Sequence, residues 1–427
     1  MNSFILLWLI VSYYKLQIQV YKRQDGSFMA FGDKIDQRKT NKKNHIIDIM
    51  RHAGPLSKAD AKKISGYSMD TVITVFNTLQ REKLIKPAEG TQKEKGRKAS
   101  FFKLNSQNNL YLGVTFNQSG IYSSLVSFSN EILESHFTRI PYPATLKIFE
   151  EKLVQHIQSV IERKKTYSEN IISICCSVPG NIDTETGILA SYTFLPFLDN
   201  FNFVKLCNTH FPGIPVYVDH NISNMTSYFL MDIDLMSHYS RVLVVSARTG
   251  AASGLIFNGD IVNGHGEMGH VRVSDTSDMC MCGRTGCLDC FFSYRNFAEL
   301  LSNNGIDTDD ESIPVQESVL KTLKEKYESG DPEFTKPLKE YLHYLSNALL
   351  DAINITAPHL VILTGELFRV YGDPVKEIND TIHSYLNDEG PVANYSRTRL
   401  MFFDLGTEIA SLGICYHKIK NDWDYTS

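Results

Sequence analysis

Apolar residues in the first quarter of the chain recur at helical spacing in short blocks. Ile46, Ile47, Ile49 and Met50 lie within His45 to His52, and Gly54-Pro55 stops that helix. Ser57 followed three residues later by Asp60 is a variant capping box that starts a second helix over Asp60 to Ile64. Ser65-Gly66-Tyr67 supplies a turn. Ser68 then caps a third helix, in which Val72, Val75, Phe76 and Leu79 repeat at i, i+3, i+4, i+7 while Thr71, Thr74, Asn77 and Thr78 face outward. Beyond Lys83, Leu84-Ile85 and Phe101 to Leu104 read as strands flanking a polar loop, Glu89 to Ser100, that holds Lys93, Lys95, Arg97 and Lys98. Helix, helix-turn-helix and hairpin in that order predict a winged helix-turn-helix over residues 34–104. Such a module sets the first turn of its third helix on base edges in a major groove and its wing on the backbone or minor groove. Ser68, Met69, Thr71 and Thr74 are the expected base contacts, and Arg97 and Lys98 the expected wing contacts. The alternative is a winged helix that only contacts protein, and the basic wing argues against it.

Residues 105–427 carry a different rhythm. Leu110 to Phe116 and Ile121 to Phe128 predict paired strands joined by Asn117-Gln118-Ser119-Gly120, with a third near Ile132 to Phe137. Leu146, Phe149, Leu153, Ile157 and Val160 then have helical spacing, and Ile171 to Cys176 and Val216 to Val218 read as buried parallel strands. The order returns with strands at Arg241 to Ser246 and Gly254 to Phe257, a helix over Leu338 to Ile355, and a strand at Leu360 to Leu363. Two lobes of βββαβα type fit this α/β sequence, with a ligand expected in the cleft between them.

Charge sharpens the division. Residues 34–103 hold 17 Lys/Arg against 7 Asp/Glu, a surplus of +10, which leaves −15 on the rest of a chain whose formal charge is −5. A basic module on an acidic body suits a nucleic-acid-binding segment attached to a small-molecule domain. No segment reaches the roughly 20 apolar residues that span a bilayer, since the run Phe4 to Val11 ends at Ser12-Tyr13-Tyr14-Lys15. No positive charge precedes that run and no cleavage site clearly follows it, so a cytoplasmic protein with no membrane association is expected. Residues 1–33 are set apart as an N-terminal extension, with Met29 an alternative start. Of the eight cysteines, Cys280, Cys282, Cys287 and Cys290 fall within eleven residues, which points to a metal and not to a disulfide framework.

Three motifs precede that cluster: SVPGNIDTETG from Ser177, VDHNISN from Val218, and TGAASGLIFNGDIVNGHGEMGH from Thr249 to His270. CMCGRTGCLD follows from Cys280 to Asp289, and GRKASFFKLN ends the basic module. In this order they resemble the ROK family of repressors and sugar kinases, over roughly residues 40 to 415. The resemblance implies a two-lobed, actin-like (ribonuclease-H-like) ATPase fold with zinc in the second lobe. His270, Cys280, Cys282 and Cys287 offer one imidazole and three thiolates, a closed tetrahedral set with no open position, so the zinc is expected to be structural. An all-thiolate site with Cys290 in place of His270 is the alternative.

Against the family's kinases the chain departs at the catalytic positions. Their Asn-Asp pair, whose Asp takes the proton of the attacking hydroxyl, aligns with His220-Asn221, and an amide cannot accept that proton. Their Asp-x-Gly-Gly-Thr hairpin is replaced by the stretch Gly113 to Ser119, their G-T-G-x-G loop by Arg248-Thr249-Gly250-Ala251-Ala252, and a late Gly-Gly by Gly365-Glu366. The sugar side keeps Glu267 and His270, with Asp289 where the kinases have Glu and Phe194-Leu195-Pro196 in place of Asn-Leu-Pro. Asn221, Glu267, His270 and Asp289 are therefore the expected sugar contacts, over an aromatic floor from Tyr192, Phe194 or Phe197. The expectation is a repressor that binds operator DNA as a homodimer or dimer of dimers and responds to a sugar or sugar phosphate. An active sugar kinase with an appended DNA-binding domain, and a regulator whose body binds a protein partner, are the alternatives.

Overall fold

The computed structural model describes residues 42–88, 100–141, 144–163, 170–192, 194–262, 266–306, 315–385 and 394–423. Arg97 and Lys98, with the rest of the expected wing loop, lie outside the described residues, as do residues 1–41. The described chain divides into two compact units. One holds Lys42 to Glu82 and Pro87 to Lys103, and the other Lys83–Lys86 and Leu104–Trp423.

The first unit begins with α1 (Lys42–Ala53), which buries Ile46, Ile47, Ile49 and Met50. After β1 (Leu56–Ser57), α2 (Lys58–Ser65) starts on the expected capping box: the Ser57 hydroxyl accepts from Asp60 N–H, and the Asp60 carboxylate accepts from Ser57 N–H. Gly66, at φ 71°, ends α2 in the left-handed conformation that glycine adopts without strain. Ser68 caps α3 (Met69–Arg81) by accepting from Thr71 N–H, and Val72, Val75, Phe76 and Leu79 form its buried face. Next in the chain come β2 (Ile85–Pro87), of which Ile85 and Lys86 are counted with the second unit, and β3 (Phe101–Leu104), of which Phe101 to Lys103 belong to the first. Leu56 of β1 lies opposite Phe102 of β3, whose ring meets Phe76 edge-on with centroids 5.5 Å apart.

The second unit repeats one topology twice. In the first sheet β4 (Leu110–Asn117), β5 (Gly120–Ser127) and β6 (Ile132–Arg139) are antiparallel neighbours; β7 (Ile171–Val178) then runs parallel beside β4, and β11 (Val216–His220) parallel beside β7. The expected helix α4 (Leu146–Arg163) and α5 (Phe203–His210) pack against this sheet. Between them comes a small sheet that the apolar pattern did not predict, of β8 (Asn181–Asp183), β9 (Ile188–Ser191) and β10 (Phe201–Asn202). After α6 (Asn221–Phe229) and α7 (Ile233–His238) comes the second sheet: β12 (Arg241–Ala247), β13 (Ala251–Phe257) and β14 (Asp260–Ile261) antiparallel. Its parallel strands are β15 (Leu360–Thr364) beside β12 and β16 (Arg399–Phe403) beside β15. Helices α8 (Tyr294–Asn303), α9 (Val315–Glu328), α10 (Pro332–Thr356) and α11 (Pro374–Tyr385) flank it, and α12 (Ile409–Trp423) ends the described chain. The sheet orders β11-β7-β4-β5-β6 and β16-β15-β12-β13-β14 are the same order twice.

The two sheets exchange their last helices. Helix α6 leaves the first sheet, yet its Ile222, Met225 and Phe229 pack with Val242, Val244, Ile256 and Ile362 of the second. Helix α12 leaves the second sheet and packs on β4, β5 and β7 of the first. The two helices touch so closely that a Cβ on Gly413 would stand 1.7 Å from the Asn224 carbonyl oxygen, so only glycine fits there.

Candidate functional site

The loop between β14 and α8 gathers the expected metal ligands. A short turn, Met268–His270, presents His270; Cys280 and Cys282 stand on a turn closed by Gly283 N–H donating to the Cys280 carbonyl; Cys287 precedes the turn Leu288–Cys290. The ligand atoms of His270, Cys280, Cys282 and Cys287 all lie within 4.8 Å of one another. His270 Nδ1 is 3.5 Å from Cys280 Sγ, and Cys282 Sγ is 3.6 Å from Cys287 Sγ. Bond lengths of about 2.3 Å to sulfur and 2.0 Å to nitrogen at tetrahedral angles put ligand atoms about 3.5–3.8 Å apart, so this group can hold a metal ion of that geometry. Burial opposes ionisation of the Cys282 thiol, but hydrogen bonds from Arg284, Cys280 and Cys287 together outweigh it and pull the group down to about 6. Cys290 is not among the four, and its Sγ faces the Asp278 carbonyl at 3.5 Å.

The same loop sets the expected sugar-contacting acids beside the second sheet. Asp289 accepts the Ala251 N–H at 2.9 Å, and its carboxylate lies against the Cα atoms of Gly250 and Gly269, where a Cβ would approach it to 2.5 and 2.2 Å. Burial, with the charge of Glu267 added, pushes Asp289 up to about 6 against the Ala251 hydrogen bond and the nearby His270. Glu267, His270 and Asp289 are thus brought together, with Glu267 exposed at the rim. Asn221 opens α6 at the end of β11, half-buried, and among the described residues its amide makes no hydrogen bond. Of the expected floor, Tyr192 is buried with Phe194 edge-on against it at 5.7 Å, and Phe197 is half-buried.

Where the resemblance to the kinases implies phosphate, the structure gives something the sequence did not. Arg248 and Glu366 each stand in a stretch that replaces a glycine loop of the kinases. They bind each other, with Arg248 Nη1 donating to Glu366 Oε2 at 2.7 Å. Arg248 Nε reaches Ser246 Oγ, and Nη2 reaches the carbonyls of Leu405 at 3.1 Å and Gly406 at 2.9 Å. The β4–β5 hairpin is also tied in, since the Asn117 side chain accepts from Ser119 and Gly120 N–H and donates to Thr407 Oγ1. One guanidinium therefore joins the ends of β12 and β15 to the loop before α12.

In the first unit, the outward face of α3 carries Met69, Thr74 and Asn77, with Thr71 half-buried. Ser68 Oγ and Thr71 Oγ1 are 3.0 Å apart, and Thr74 Oγ1 donates to the Asp70 carbonyl, so these hydroxyls are partly committed to the helix itself. Ile73, which the sequence reading passed over, is exposed on the same helix. Its position outside the i, i+3, i+4 apolar set was the available signal. No helix among the described residues is long and apolar enough to cross a membrane.

A family model described as "ROK family" matches residues 111–404. The Escherichia coli K12 protein named "DNA-binding transcriptional dual regulator NagC" is 23% identical over 333 residues, 75% of this chain and 79% of that protein. The Bacillus subtilis "Xylose repressor" is 22% identical over 84% of this chain and 92% of its own length. Among solved structures, a ROK family transcriptional regulator described as a homologue of the E. coli Mlc protein superposes with a TM-score of 0.69 at 17% identity, covering 88% of this chain and 95% of that one. A ROK hexokinase from Thermus thermophilus superposes at 0.56 and 17% identity, covering 73% of this chain and 99% of its own. These last two likenesses are of fold.

Proposed function

The chain belongs to the ROK family, and from that membership we propose that it is a sugar-responsive, DNA-binding transcriptional repressor whose kinase-like body binds an effector without phosphorylating it. Residues 34–104 form the winged helix-turn-helix, with Ser68, Met69, Thr71 and Thr74 at the bases and Arg97 and Lys98 on the wing. Residues 105–427 form the effector domain. Its relatives named as DNA-binding regulator and xylose repressor support this division of labour.

In the cleft, Asn221, Glu267 and His270 are the proposed sugar contacts. Asp289 contributes through Oδ2, since Ala251 N–H donates to Oδ1. His270, Cys280, Cys282 and Cys287 hold a zinc ion that ties the loop carrying Glu267 and Asp289 to itself, the neighbouring groups orienting the ligands. The reading rests above all on the Arg248–Glu366 pair. It sets the protein's own paired charges where the resemblance to the kinases implies phosphate, while Asn221 stands where a kinase needs its base. A two-fold oligomer, a homodimer or dimer of dimers, would present two such units to a palindromic operator.

Anisotropy titration of the full chain against duplex DNA from upstream of its own coding sequence tests the proposal, with sequence-preferring binding expected at about 100 mM salt. A coupled ADP-release assay over common hexoses should stay at background, and sugar-dependent turnover would replace this reading with that of a kinase.

A further inference from the structure

The solvent side of α3 has a composition that narrows what it can read. Val72, Val75, Phe76 and Leu79 already supply its core face. Met69 and Ile73, one turn apart, remain 36% and 38% exposed, so their apolar surface is surplus to the fold. Between Ser68 and Gln80 the helix has no Arg or Lys, the side chains that pair with guanine O6 and N7. The hydroxyls of Thr74 and Thr78 donate to the carbonyls of Asp70 and Thr74. Asn77 is exposed, and among the described residues its amide makes no hydrogen bond. The cations lie outside the first two turns: Arg81, exposed, ends α3, and Lys62 and Lys63, exposed, end α2, all in the segment with a surplus of +10. An apolar protein partner would not call for that surround, whereas a duplex needs cations for its phosphates and, at thymine, apolar contact for a methyl group.

We propose that Met69 and Ile73 read thymine C5-methyl groups and that Asn77 pairs with an adenine edge, so that the base pairs beneath these three residues are A·T pairs. This inference rests on the DNA-binding reading above.

The test uses the full chain and a duplex selected from a randomised pool, resynthesised with uracil for thymine one position at a time. Uracil lacks only the methyl group. Wild-type protein should bind about fourfold more weakly when a contacted methyl is removed, the effect of exposing one buried methyl. Ile73→Ala or Met69→Ala should bind the thymine and uracil duplexes equally at the matching position. If wild-type protein binds both duplexes alike at every position, or if both variants keep the full uracil penalty, the assignment is overturned while the repressor reading stands. G·C pairs selected at the positions beneath Met69, Ile73 and Asn77 would overturn it as well. Failure to prefer any sequence would remove both, and the uracil comparison on wild-type protein does not depend on a variant folding.

Discussion

Arg248 ties three separate stretches of the chain together. Its guanidinium spends donors on Ser246, Glu366, Leu405 and Gly406, and its side chain is 10% exposed beside a Glu366 side chain at 14%. Removing one partner of such a buried pair leaves the other charge uncompensated, at about 3–5 kcal/mol. Arg248→Ala should therefore lower the urea midpoint strongly, and Arg248→Met with Glu366→Leu should recover much of that loss because neither charge is then left alone. If Arg248→Ala costs less than about 1 kcal/mol, the pair acts as an exposed ion pair and not as a buried one. The sequence announced each residue as a misfit in a phosphate loop. It could not announce the pair, since the partners are 118 positions apart and only the parallel pairing of β12 with β15 brings those strand ends together.

At the scale of elements, the loop from Met268 to Cys290 has little regular structure of its own, and a metal held by its four ligands would lend it order. The purified chain should carry about one zinc, measured by elemental analysis. Cys280→Ser and Cys287→Ser should each lose it and lower the thermal midpoint, whereas Cys290→Ser should keep it. Retention of zinc by Cys280→Ser together with loss in Cys290→Ser would move the site to the all-thiolate alternative. This cluster was legible because its ligands are near neighbours in sequence. Helix α3 and the capping box of α2 were legible for a related reason: their signals are local and amphipathic. Helices α6 and α12 were not anticipated, because each is packed on more than one side and buries Asn224, Thr226 and Ser411 along with its apolar residues, which erases the contrast that periodicity needs. The two-residue strands β10 and β14 fall below the length at which alternation can be counted.

The effector domain as a whole is a duplicated fold held together by exchange. Helix α6 begins at Asn221 at the end of the first sheet and packs on the second, while Glu267, His270 and Asp289 belong to the second sheet's own loop. A sugar gripped by both sets would favour one arrangement of the sheets, and its influence on DNA can be no larger than its preference between arrangements. We therefore expect the monosaccharide that most raises the thermal midpoint of the full chain to change operator affinity by about 5- to 150-fold in anisotropy titrations. Reciprocity sets a second requirement: saturating operator DNA must change the affinity for that sugar by the same factor, measured by calorimetry. Asn221→Ala should remove the sugar's effect on both measurements and leave operator affinity without sugar unchanged, because Asn221 lies outside the basic unit. A sugar that binds tightly yet leaves operator affinity unchanged has no preference between arrangements, and the body would then have to take its signal from another ligand.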